Sequence, residues 1–142
     1  MLDDLGLLAT LRWYLGNIAK LHPTLEIRHH LDLAESDIPP DLRTPIFRIL
    51  QEAVTNAAKH SGGRLLDVGL SLELGEVRLA VTDDGGGLVP NTARAAGAGP
   101  GLGLSSMRER ATLSGGALSI QTRPDQGTTV AASWPLASGA RG

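Results

Sequence analysis

Apolar positions follow two periods along this chain, and the switches between them mark its elements. Leu5, Leu8, Leu11, Leu15 and Ile18 recur at helical spacing behind Asp3 and Asp4, either of which can cap the run, and Pro23 ends it. From Glu26 to Leu33 the period becomes two: Ile27, His29, Leu31 and Leu33 fall on one side, and Glu26, Arg28, His30 and Asp32 on the other. That pattern predicts a half-buried strand in which His29 points inward as a satisfied histidine. Ser36 to Pro40 is a breaker-rich loop, after which Asp41 opens a second helix, with Pro45 in its first turn and Gly62-Gly63 closing it.

Leu66, Val68, Leu70, Leu72 and Leu74 then alternate with polar or small residues, as do Val77, Leu79 and Val81 after Gly75-Glu76, which predicts a hairpin ending at Asp83. Leu104, Met107 and Ala111 give a third helix stopped by Gly115-Gly116. Two further alternating runs, Ala117 to Thr122 and Thr128 to Trp134, flank a turn at Pro124 to Gly127. Between Gly85 and Gly103 large apolar residues are too few to pack, so a mobile loop is expected there. The elements add up to an α+β fold, a two-layer sandwich with three helices on one face of a five-stranded, mixed but mostly antiparallel sheet. One domain is expected over residues 1–136, with 137–142 as a flexible tail. The helical pattern begins directly after Met1, as if a longer protein had been cut at a boundary.

Within the second helix, Glu52, Asn56 and His60 recur every fourth residue, which stacks them on one side. Ile46, Ile49, Leu50, Ala53, Val54 and Ala57 fill the adjoining arc and read as its buried stripe. The polar ladder therefore borders the core, lining one cleft with a carboxylate, an amide and an imidazole.

Composition narrows the function. With 13 basic and 15 acidic residues, a formal net charge of −2 and no basic run, the chain has no electrostatic footprint for nucleic acid or an anionic membrane. It has no cysteine, so disulfides and thiolate metal sites are excluded, and no apolar run approaches the roughly 18 residues that span a bilayer. A soluble domain without membrane contact, in a reducing cytoplasm, is expected.

The 18 glycines invite a phosphate-binding reading. A Walker loop is absent, because the two lysines, Lys20 and Lys59, follow alanines. A dinucleotide fingerprint fails as well: counting on from Gly99 and Gly101 reaches Leu104, and the strands form hairpins rather than parallel crossovers. Two clusters remain, Asp83-Asp84-Gly85-Gly86-Gly87 at a strand end and Gly99-Pro100-Gly101-Leu102-Gly103 at a helix start. The second can bring backbone N–H groups and the positive end of a helix to a polyphosphate, while the first offers a carboxylate to an amino group.

These residues resemble the Bergerat-fold (GHKL) ATPases, the superfamily of type II topoisomerases, mismatch-repair ATPases and sensor histidine kinases. Glu52-x-x-x-Asn56-x-x-Lys59-His60 resembles its asparagine box. Asp83-x-Gly85-x-Gly87 and Gly99-x-Gly101-x-Gly103 resemble its two glycine boxes, and Gly127-Thr128 its terminal threonine element. Gly101-Leu102-Gly103-Leu104-Ser105-Ser106-Met107-Arg108-Glu109-Arg110 and Leu2-Asp3-Asp4-Leu5-Gly6-Leu7 are similar to the nitrate-sensor branch of bacterial histidine kinases.

The resemblance implies a Mg-ATP site. In it, Asn56 ligates Mg2+; Glu52 positions metal-bound water or acts as a base; Lys59 and His60 neighbour the phosphates; and Asp83, supported by Thr128, receives the adenine amino group. The residues from Leu88 to Gly101 would form a nucleotide-responsive lid. The implied activity is that of a histidine kinase catalytic domain, passing the γ-phosphoryl group to a histidine on a separate dimerisation domain, with a response regulator downstream and a parent protein either soluble or membrane-anchored. No acceptor is expected among His22, His29, His30 and His60. Two other readings stay open: a serine kinase of the anti-sigma-factor type from the same superfamily, and a non-catalytic module whose docking follows its nucleotide state.

Overall fold

A computed structural model of the chain describes residues 2–60, 64–84, 104–123 and 127–136. Its elements are α1 (Leu2–Leu21), β1 (Glu26–Asp32), α2 (Arg43–His60), β2 (Leu65–Glu73), β3 (Glu76–Asp83), α3 (Leu104–Leu113), β4 (Ala117–Arg123) and β5 (Gly127–Pro135), with single 3-10 turns at Glu35–Asp37 and Pro40–Leu42. The five strands form one sheet in the order β1-β2-β3-β5-β4, with β1 parallel to β2 and every other pair antiparallel. This is the expected α+β sandwich. The Gly62-Gly63 stop, the loop between the glycine clusters and the tail from 137 lie outside the described residues.

Alternation decides which face is buried. Leu66, Val68 and Leu70 of β2, Val77, Leu79 and Val81 of β3, and Val130, Ala132 and Trp134 of β5 point to one side and are buried. They meet Leu7, Leu11 and Leu15 of α1, Ile46, Ile49, Leu50 and Val54 of α2, and Met107 and Ala111 of α3 in a single core cluster. Each large side chain fully withdrawn from water contributes about 1.5–3 kcal/mol, so α2, with its continuous buried stripe, is the helix most firmly fixed on the sheet. Tyr14 ties α1 to it, its ring edge-on to Phe47 at 5.6 Å and its hydroxyl 3.3 Å from that of Thr55. No helix among the described residues is long and apolar enough to cross a membrane.

The structure corrects the sequence reading at three points. Residues 2–21 are helical, but Gly6 (φ 85°, ψ 173°) breaks the run, so the buried stripe starts at Leu7 and Leu5 is left 56% exposed. The turn after the break is capped from across the fold: the carboxylate of Glu35 accepts the backbone N–H groups of Leu7 and Leu8, each at 2.9 Å. Arg43 lies 3.4 Å from the same carboxylate. A Cβ on residue 6 would run into that carboxyl group, so the glycine serves both the backbone angle and the close approach. The second correction concerns His29, which is exposed. β1 is the edge of the sheet, and Ile27 and Leu31 on either side of His29 are only partly buried against the core.

The third correction is the hairpin turn, which falls on Leu74-Gly75 rather than Gly75-Glu76: both have positive φ (53° and 77°), the geometry that suits the twist of two antiparallel strands, and Leu74 is left exposed instead of ending β2. α3 ends where its glycines stand: the N–H of Gly116 reaches the carbonyl of Ala111 at 2.7 Å and that of Gly115 the carbonyl of Thr112 at 3.1 Å, the double bond pattern of a Schellman end.

Candidate functional site

Connectivity brings the site elements to one end of the sandwich. Only residues 61–64 separate the last residue of α2, His60, from the first of β2, Leu65, so the C-terminal turn of α2 lies over the edge where β2 starts. β2 runs antiparallel to β3, and Leu66 pairs with Asp83, the last residue of β3. On its other side Asp83 pairs with Thr128 at the start of β5. α3 begins at this end too, since only residues 114–116 separate its end from Ala117, whose partner Ser133 lies at the far end of β5. An amide-bearing helix end, a strand-end carboxylate, a helix N-terminus and a hydroxyl thus share one rim.

Glu52 and Asn56 are half-buried one turn apart on α2, and Lys59 is exposed near its end. The charge of Glu52 is felt by Tyr14: burial first, and the nearby Glu52 carboxylate as well, raise the phenol's pKa, while its hydrogen bond with Thr55 works the other way. Asp83 is only 7% exposed, one of the few buried polar side chains. Thr128 shares its face and sits 3.3 Å, hydroxyl to hydroxyl, from Thr122 on β4. The side chain of His60 lies outside the described residues, as do Gly85, Gly87, Gly99, Gly101, Leu102 and Gly103 and the proposed lid.

Two residues to which sequence reasoning gave no such role hold Asp83 in place. Asp84 is exposed, yet its Oδ1 accepts the backbone N–H groups of Arg64 and Leu65, both at 2.9 Å. The bond from Leu65 above all holds its carboxyl below the usual aspartate range; burial opposes it, and the bond from Arg64 adds to the lowering. Asp84 therefore fastens the start of β2 to the end of β3. From the other flank comes Gly127, at φ 96°, whose α-carbon lies so close to the Asp83 carbonyl that a Cβ there would overlap it. An Asp-Asp pair before a glycine run and a glycine before Thr-Thr were the available signals, but neither identifies its partner across the sheet.

The donor set fits magnesium. The Asn56 amide oxygen is a hard ligand, and the Glu52 carboxylate one helical turn away could hold metal-bound water, which leaves room for phosphates. Among the described residues no cluster of three or more His, Cys, Asp or Glu side chains could form a protein cage instead. A cleft of about 440 Å³ lined by Asp41, Leu42, Thr44, Pro45, Arg110, Leu113 and Ser114 is a different place. It lies at the start of α2, about 18 Å along the helix axis from Asn56 at 1.5 Å per residue.

Residues 41–138 match the family model described as histidine kinase-, DNA gyrase B-, and HSP90-like ATPase. Over 135 residues the chain is 31% identical to the oxygen sensor histidine kinase NreB of Staphylococcus carnosus (strain TM300), covering 95% of this chain and 38% of that protein. It is 33% identical over 138 residues to the signal transduction histidine-protein kinase/phosphatase DegS of Bacillus subtilis (strain 168), covering 95% of this chain and 35% of that one. The chain thus spans little more than a third of the length of these relatives. Among solved structures, the catalytic domain of histidine kinase ThkA superposes with a TM-score of 0.66 at 21% identity, covering 91% of this chain and 89% of that one. The ATP binding domain of PrrB from Mycobacterium tuberculosis superposes with 0.61 at 24%, covering 84% and 86%.

Proposed function

Because the chain belongs to the histidine kinase-, DNA gyrase B-, and HSP90-like ATPase family, we propose that it is the ATP-binding catalytic domain of a sensor histidine kinase. It passes the γ-phosphoryl group of ATP to a histidine on a separate dimerisation domain, from which a response regulator takes it. The observation that carries this reading is the shared rim: Asn56 on α2, buried Asp83 ending β3, and the first turn of α3 all lie at one end of the sheet.

Each residue has a part that follows from its chemistry. Asp83, shielded from water, accepts the adenine amino group, and Thr128 beside it supports the base. The N-terminal turn of α3 presents its positive end, and Lys59 a cation, toward the phosphates. Asn56 would hold Mg2+ through its amide oxygen with Glu52 ordering the water around it; when bound, the ion neutralises phosphate charge. In the transfer itself the bond between the β–γ bridging oxygen and the γ-phosphorus breaks, ADP leaves, and an N–P bond forms at the acceptor imidazole, whose proton passes to a base. Glu52 is the candidate base this chain supplies. The site's contribution is positioning and charge stabilisation.

His29 and His30 are exposed on β1, and His22 follows the end of α1. With radiolabelled ATP the domain should therefore label itself only slowly, whereas adding the parent's dimerising hairpin should give acid-labile label on the hairpin. Acid-stable label on serine would instead make it a serine kinase.

A further inference from the structure

We infer that Thr122 is a positioning residue for the base end of this site, fixing the hydroxyl of Thr128 beside Asp83. The inference rests on the nucleotide reading above and extends it to a residue on β4 that no motif marks.

Three strands carry one row on the helix-facing side: Asp83 pairs with Thr128, and Thr128 with Thr122. A threonine hydroxyl has one proton and two lone pairs, and it rotates to suit its neighbours. On one side Thr128 is paired across the strands with Asp83, whose carboxyl oxygens can accept its proton. On the other side the Thr122 hydroxyl lies 3.3 Å from that of Thr128, where it can donate once the Thr128 proton is turned toward Asp83. Both side chains are β-branched and stiff about χ1, which makes their mutual orientation persistent. Without Thr122 the Thr128 hydroxyl would be free to turn, and the row would lose its alignment toward the base.

The fold contains its own control. Thr82 and Thr129, the neighbours of Asp83 and Thr128, form a second hydroxyl pair at 3.2 Å on the opposite face of the same strands. Both pairs stabilise the sheet as cross-strand contacts. Only one faces the site.

The test compares Thr122→Val, Thr122→Ser and Thr82→Val for affinity toward ATP and toward inosine triphosphate, which carries a carbonyl in place of the adenine amino group. Thr122→Val should weaken ATP binding about three- to tenfold, the effect of one hydrogen bond, and narrow the preference for ATP over inosine triphosphate. Thr122→Ser should restore both, and Thr82→Val should leave both unchanged. Equal effects of Thr122→Val and Thr82→Val, or an equal loss for the two nucleotides, would overturn the positioning role. Asp83→Ala separates the layers: if it leaves the nucleotide preference intact, the base reading itself fails and this inference with it.

Discussion

Gly127, the first residue of β5, sits at φ 96° with its α-carbon against the backbone carbonyl of Asp83, the last residue of β3. No other residue type fits there, because a Cβ would overlap that carbonyl and φ would fall in the region L side chains avoid. Gly127→Ala should therefore lower stability by about 2–4 kcal/mol, combining overpacking with the left-handed backbone. It should also weaken ATP, since the strand end carrying Asp83 must move. Urea unfolding and nucleotide titration of the same variant check this. An unchanged midpoint would mean that the contact relaxes without resistance.

Asp83 itself should read the base. A hydrogen bond to a charged group is worth about 1.5–3 kcal/mol, so Asp83→Ala should weaken ATP roughly ten- to a hundredfold. GTP should bind the wild type poorly, because guanine offers a carbonyl where adenine has its amino group. Comparable ATP and GTP affinities in direct competition would remove Asp83 from that role.

The cap on α1 is made across the fold rather than within the helix. Glu35→Ala removes a charged acceptor from the N–H groups of Leu7 and Leu8 and a partner from Arg43, and should cost about 1–3 kcal/mol. Glu35→Gln, which keeps an acceptor oxygen, should cost less. If the two variants unfold at the wild-type urea concentration, Glu35 does not hold the first turn.

Acid should loosen the junction between β2 and β3. The folded-state pKa of Asp84 lies below its unfolded value, so its stabilising contribution is fully present above the unfolded aspartate value of about 3.9 and is lost as pH falls through the folded value. The stability difference between wild type and Asp84→Ala should be constant from about pH 5 to 7 and shrink below about pH 4. A difference that stays constant down to pH 2 would mean that the Asp84 charge contributes nothing.

The sequence disclosed what depends on near neighbours. The ladder of Glu52 and Asn56, the alternation of β2, β3 and β5, and the glycine stop of α3 are all local patterns, and the structure has them where the pattern puts them. What it hid are contacts between distant residues. Gly6 reads as a weak spot in an apolar helix until Glu35, 28 residues from Leu7, is seen capping the next turn. His29 follows its strand's inward parity yet stays exposed, because edge position is a property of the sheet and not of β1. Thr122, Asp84 and Gly127 acquire meaning only through strand pairing, which no single strand encodes.

The central claim is a magnesium-dependent ATP site at the end of α2, and calorimetric titration of ATP tests it most directly. Wild type should bind ATP saturably with magnesium and markedly more weakly when the metal is chelated, while Asn56→Ala should bind weakly in both conditions. Equal affinity of wild type and Asn56→Ala, with or without magnesium, would contradict it.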